Sequence, residues 1–119
     1  MTGRRILLIE DEHIVAEALA RALRPMGADV VAMAASVEQA MALLDTTPAI
    51  DGAVLDINLR GVRAFSVADE LISRGVPLVF TTGYGALVIP EAYRHVPVVL
   101  KPFDPDEVLT ALFPRSERP

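Results

Sequence analysis

The chain has no cysteine and only two histidines among its 119 residues, and these shortages exclude several functions. A disulfide framework, a thiolate metal site and cysteine nucleophilic catalysis are ruled out. So few imidazoles also argue against zinc. A cysteine-free chain fits a reducing compartment, and the cytoplasm is the expected location. Positive charge is short as well. The formal net charge is −5 and the pI about 4.9, so there is no basic field of the kind a phosphate backbone attracts, and no nucleic acid is expected as a partner. Long apolar runs are missing although 52% of the residues are hydrophobic. None approaches the roughly 18–20 residues of a membrane span, and Glu10-Asp11-Glu12 cuts the first apolar run too early for a signal peptide. No membrane association is expected.

What is present is organised around Ala53-Val54-Leu55-Asp56-Ile57-Asn58-Leu59-Arg60-Gly61, an apolar run that ends on a carboxylate and breaks into a polar loop. Short unalternating runs of this kind read as parallel strands covered on both faces. They recur over residues 6–9, 29–35, 53–55, 77–82 and 96–100, and helical spacing falls between them. Ile14, Val15, Ala18, Leu19, Ala22 and Leu23 give a first helix stopped by Pro25-Met26-Gly27. Ser36 with Gln39 is a capping-box signature that opens a second helix, through about residue 44. The loop after Asp56 runs to about Arg63. Phe65, Ala68, Leu71 and Ile72 mark a third helix ended by Gly75, and residues 105–113 a last one with Val108, Leu109 and Leu112 inward. Pro90 interrupts residues 86–95, leaving at most a short helix near 91–94 in a segment expected to be mobile.

This alternation predicts one α/β domain, with a core over about 4–113 and a flexible tail over 114–119. Its architecture is a doubly wound five-stranded parallel sheet of order 2-1-3-4-5 with helices on both faces. No repeat or linker divides it. In that order Glu10, Asp11 and Asp56 meet at the carboxyl edge of the sheet, with Thr82 and Lys101 at the neighbouring strand ends. Three converging carboxylates repel one another unless a hard divalent cation shares them, and Mg²⁺ is the natural occupant. Glu10 and Asp11 alone could equally be solvated loop acids, and Thr82 alone a turn hydroxyl. Lys101 stands out because it is the sole lysine among eleven basic side chains, and a compact ammonium suits a carboxylate site better than a forked guanidinium. His13 and His95 read as exposed.

Ile6-Leu7-Leu8-Ile9-Glu10-Asp11-Glu12, Val54-Leu55-Asp56, Thr81-Thr82-Gly83 and Leu100-Lys101-Pro102-Phe103 together resemble the motifs of response-regulator receiver domains, in order and with that family's spacing. The resemblance covers residues 6–113. It implies a two-component phosphorelay protein in which Asp56 is the nucleophile that accepts a phosphoryl group from a sensor histidine kinase. It implies Mg²⁺ held by Glu10, Asp11, Asp56 and the main-chain carbonyl of Asn58. It also implies that Lys101 and Thr82 bind phosphoryl oxygens and that a cis peptide precedes Pro102.

The chain departs from the common pattern at Val98, where many receivers carry a switch aromatic. Residues 77–84 resemble the FAT GUY-type subfamily, named for its Phe-Ala-Thr-Gly-containing motif, which consists largely of stand-alone receivers paired with HWE and HisKA_2 histidine kinases. Tyr84, with Gly83 and Val98, is then the expected switch region, and Tyr84 is further expected to slow dephosphorylation. Few residues follow the last helix, so the expectation is a stand-alone regulator signalling by contact to an unknown downstream protein, or a phosphate sink. It would catalyse only its own phosphorylation and dephosphorylation. A receiver cut from a larger regulator is the alternative. A magnesium-dependent phosphatase of the haloacid-dehalogenase type, which shares the aspartate nucleophile, would want an acid where Asn58 stands.

Overall fold

The computed structural model describes residues 3–83, 89–102 and 104–114. Strands β1 (Arg4–Ile9), β2 (Ala28–Ala34), β3 (Gly52–Asp56), β6 (Leu78–Thr82) and β7 (Val98–Leu100) form one parallel sheet in the order β2-β1-β3-β6-β7. Strands β4 (Asn58–Leu59) and β5 (Val62–Arg63) form a separate antiparallel hairpin. Counting only the sheet strands, this is the expected order 2-1-3-4-5.

Alternation along the strands divides the core in two. Leu7, Ile9, Leu55 and Phe80 face helices α2 (Val37–Thr46) and α3 (Phe65–Ser73), where Ala40, Leu44, Val67 and Leu71 meet them. Ile6, Leu8, Val54 and Val79 face α1 (His13–Leu23) and α4 (Pro105–Leu112), which contribute Leu19, Leu23, Val108 and Leu112. Because the central strands are covered on both faces, their runs carry no polar alternation.

Several elements differ from the sequence reading. The buried stripe of α1 is Ala16, Leu19, Ala20 and Leu23. Ile14 and Ala18 lie outside it, and Ile14 is 82% exposed. Ile72 likewise points outward on α3 while Val67 takes its place in the core. The last strand begins at Val98 rather than at residue 96. At the start of α2, Ser36 Oγ accepts from the Gln39 amide at 3.1 Å, but Gln39 Oε1 accepts from the Ala35 amide at 2.8 Å, one residue before the cap. A reciprocal capping box is found instead at α4, between Asp104 and Glu107. The expected loop after Asp56 contains the β4–β5 hairpin, turned through Arg60 and Gly61, both at positive φ (52° and 82°).

In the segment after β6, residues 84–88 lie outside the described residues, and with them the expected switch residue Tyr84. Beyond them a 3₁₀ turn spans Glu91–Tyr93. Its Tyr93 ring stacks on Phe65 with centroids 4.8 Å apart and meets Phe80 edge-on, while the Tyr93 hydroxyl donates to Asp69 on α3. Of the proposed tail, only Pro114 is among the described residues.

Candidate functional site

The register of the sheet sets the site. Ile9 is paired with Leu55, Asp56 with Thr81 and Thr82 with Leu100. Glu10 and Asp11 leave β1, Asp56 ends β3, Thr82 ends β6 and Lys101 follows β7, so all five reach one edge of the sheet. Asp56, Glu10 and Thr82 are buried. One oxygen from each of Glu10, Asp11 and Asp56 can be chosen so that all lie within 4.8 Å of one another.

Main-chain amides hold the three acids. Asp56 Oδ1 accepts from the Asn58 amide at 3.0 Å, Glu10 Oε2 from the Glu12 amide at 3.0 Å, and Asp11 Oδ2 from the Arg60 amide at 2.9 Å. Lys101 Nζ donates to Asp56 Oδ2 at 2.9 Å and also to Glu10 Oε1. The Lys101 amide donates to the Thr82 carbonyl at 2.8 Å, which ties the two strand ends together. The peptide bond between Lys101 and Pro102 is cis.

Charge in this cluster is unevenly shared. Burial pushes the Glu10 carboxyl up to about 7 against the opposing pull of its hydrogen bonds from Lys101 and the Glu12 amide, with Asp11 and Asp56 adding to the rise. Burial acts the same way on Asp11, but hydrogen bonds from Arg60 and Glu10 outweigh it and hold that carboxyl below its ordinary value. Burial alone would lower Lys101, yet its two carboxylate partners raise it, so it is firmly an ammonium.

The cluster opens into a polar cleft of about 490 Å³ lined by Asp11, Asp56, Asn58, Arg63, Thr82 and Lys101, among others. On the other side of Lys101 lies an apolar groove of about 460 Å³, bounded by Ile14, Val15, Ala18, Leu19, Pro102 and Pro105. The structure thus brings together Glu10, Asp11, Asp56, Thr82 and Lys101. Gly83 is exposed at the rim, and Val98 is 40% exposed on β7. His13 and His95 are both exposed and away from the cleft. Two contributors went unread in the sequence, the Arg60 amide that anchors Asp11 and the Arg63 side chain. The dipeptide Arg60-Gly61 between short runs was the available signal for a tight turn.

The family model for the response regulator receiver domain matches residues 6–113. This chain belongs to that family. The receiver fold is shared with SdrG from Sphingomonas melonis Fr1, at 37% identity over 91% of this chain and 92% of that one, with a TM-score of 0.79. The BeF3-activated conformation of SdrG, from Pseudomonas melonis Fr1, is 35% identical over 93% of this receiver and 97% of that chain, with a TM-score of 0.78. The response regulator PhyR from Brucella abortus is 31% identical, with a TM-score of 0.75, over 91% of this receiver but 45% of the PhyR chain. A search of curated proteins finds no match. Receiver domains of this family interact with histidine kinases and downstream proteins and generally bind Mg²⁺ at an acidic pocket, and this chain carries such an acidic cluster. Among the described residues no helix is long and apolar enough to cross a membrane.

Proposed function

We propose that this receiver is a cytoplasmic two-component signalling protein that accepts a phosphoryl group on Asp56 from the phosphohistidine of a sensor histidine kinase. The observation that carries the reading is Asp56 itself, a carboxylate buried at the end of β3 with Lys101 Nζ at 2.9 Å and two further acids beside it. An Oδ atom of Asp56 forms the new O–P bond as the N–P bond of the phosphohistidine breaks, and the electron pair leaves on the imidazole nitrogen. The Asn58 amide fixes the rotation of the Asp56 carboxylate. Lys101 neutralises Asp56 beforehand and is placed to pair with a phosphoryl oxygen afterwards, and Thr82 supplies a hydroxyl in the same cleft.

The donor set fits Mg²⁺, because three carboxylate oxygens within 4.8 Å form a hard, all-oxygen site. Glu10, Asp11, Asp56 and the Asn58 carbonyl would hold the ion. The ladder leaves that carbonyl available. The Ala64 amide donates to the Ile57 carbonyl at 2.8 Å, so the next pair, Asn58 and Arg63, is a non-hydrogen-bonded one whose polar groups point away from the partner strand. Bound Mg²⁺ supplies charge neutralisation for the transferred oxygens.

The apolar groove beside Lys101 is the surface we assign to the kinase, because Ile14 is exposed there and Lys101 lines both groove and cleft. The motif at residues 77–84 supports the FAT GUY-type reading, a kinase of the HWE or HisKA_2 type, and a switch running from Thr82 through Gly83 and Tyr84. The receiver turns over no separate substrate, and its output is contact with a downstream protein or drainage of a shared kinase. The PhyR likeness supports the alternative that it serves within a longer regulator. Intact mass after incubation with acetyl phosphate and Mg²⁺ tests the reading. One base-labile phosphoryl adduct is expected on the wild type and none on Asp56→Asn. No adduct on the wild type, together with no binding of beryllofluoride, would overturn it.

A further inference from the structure

We infer that Arg63 is a second cationic partner for the phosphoryl group, binding the donor's phosphate oxygens from the hairpin side of the cleft. The inference rests on the reading of Asp56 as phosphoacceptor and adds a residue to its site. Arg63 lines the cleft, and its guanidinium has no hydrogen-bond or ion-pair partner among the described residues. It is the register partner of Asn58, whose amide holds the Asp56 carboxylate. Opposed residues of an antiparallel pair put their side chains on the same face, and non-hydrogen-bonded pairs bring them closest, with Cα atoms about 4.5 Å apart. Arg63 therefore rises beside the residue adjoining the phosphoacceptor.

The hairpin that carries Arg63 is fixed at three points. The Ile57 amide donates to the Thr81 carbonyl at 3.1 Å, the Ala64 amide to Ile57 at 2.8 Å, and the Arg60 amide to Asp11 at 2.9 Å. Leu59 on the opposite face is buried in the core. A long exposed arginine on a pinned base can reach into the cleft without the hairpin having to reorder.

Charge gives the reason to have it. Three carboxylates against one ammonium leave two negative charges, which a divalent cation balances. A phosphoryl group then adds roughly one more at neutral pH. A guanidinium offset from Lys101 supplies the missing positive charge and can bind two phosphoryl oxygens at once. Arg24, exposed just beyond the end of α1 and outside the cleft, is the control for the loss of one positive charge elsewhere on the chain.

The test is the rate of adduct formation with acetyl phosphate and Mg²⁺ on the wild type, Arg63→Ala, Arg63→Lys and Arg24→Ala. Binding constants for Mg²⁺ alone are measured in parallel. The expected result is a loss of about tenfold for Arg63→Ala, the size of one charge-assisted contact, with Arg63→Lys in between. Arg24→Ala should stay within about twofold of wild type, and Mg²⁺ binding should be unchanged in all four. Equal rates for Arg63→Ala and Arg24→Ala, or a matching loss of Mg²⁺ binding in Arg63→Ala, would overturn the assignment of Arg63 alone. A wild type that forms no adduct would instead bring down the reading of Asp56 on which it rests.

Discussion

Without divalent cations, the stability of this receiver should fall as the pH is raised from 5 to 8, and Glu10 should be the cause. Glu10 is only 8% exposed and lies against Asp11 and Asp56. Its carboxyl sits at about 7 in the folded chain against an ordinary 4.5. A carboxyl raised by folding keeps a proton that the unfolded chain has already released, so the folded state binds more protons between these two values. By linkage, stability is at its full level below about 4.5, declines through the window and is lost once the pH passes about 7. The ratio of the two binding constants corresponds to about 3 kcal/mol, at about 1.4 kcal/mol per tenfold change. For a domain of this size that is a shift in melting temperature on the order of 10 °C, and a large share of a total stability of about 5–15 kcal/mol.

Urea unfolding followed by far-ultraviolet circular dichroism, in EDTA at pH 5, 6, 7 and 8, measures it. Asp11 has its carboxyl below the ordinary value and acts in the opposite sense, losing stability as the pH drops toward and below about 4, so starting at pH 5 keeps the two effects apart. Glu10→Gln removes the titrating group and should give a nearly flat profile across the same range. Millimolar Mg²⁺ should reverse the wild-type trend, because the ion needs the carboxylate and binds better as the proton leaves. A wild-type profile that is flat or rises with pH in EDTA, parallel to that of Glu10→Gln, would refute the reasoning.

Other perturbations test packing and contact. A Cβ at Gly52 would come within 2.9 Å of Phe113 Cζ, on a buried ring also covered by Arg4 at 4.4 Å, so Gly52→Ala should cost about 1–3 kcal/mol in urea unfolding, and pairing it with Phe113→Leu should recover part of the loss. Ile14→Glu puts a charge on the exposed apolar groove and should slow phosphorylation by the kinase about tenfold or more while leaving the acetyl phosphate rate unchanged, which a side-by-side assay with the two donors would show. Tyr93→Phe deletes the hydroxyl that bonds Asp69 and should cost about 1 kcal/mol; Tyr93→Ala also forfeits the stacking on Phe65 and should cost more, both read from the denaturation midpoint.

The frame of the protein was legible because its central strands are buried on both faces, which writes Ile6 to Ile9 and Ala53 to Leu55 as unbroken apolar runs. The site was legible for a related reason: acids and a lysine placed immediately after such runs must gather at one edge. Helix faces were harder to read. Apolar residues on α1 cover more of its circumference than the core uses, so spacing alone could not tell that Ile14 faces outward while Ala16 and Ala20 face inward. The hairpin was hidden because each of its strands is two residues long, too short for alternation to show, and its turn uses Arg60 in a left-handed conformation more typical of Asn or Gly. Missing the hairpin meant missing Arg63, which becomes a neighbour of the site only through the pairing of Asn58 with Arg63. The packing of Tyr93 on Phe65 and Phe80 joins residues 13 to 28 positions apart, beyond what local pattern can show.

The three acids owe their positions to the backbone. Each is gripped by a main-chain amide, from Glu12, Arg60 or Asn58, and only the balance of charge depends on side chains. Without a divalent ion that balance is struck by Lys101, shared between Glu10 and Asp56, and by the proton that burial keeps on Glu10 up to about pH 7. The fold therefore carries like-charge repulsion, and a cation held among these acids would compete with the proton on Glu10 and weaken the hold on Lys101. On the proposed reading, a lysine so released would be available to a phosphoryl group arriving at Asp56. Substitutions at Lys101 or Glu10 should for this reason alter charge and reactivity far more than the positions of the remaining acids.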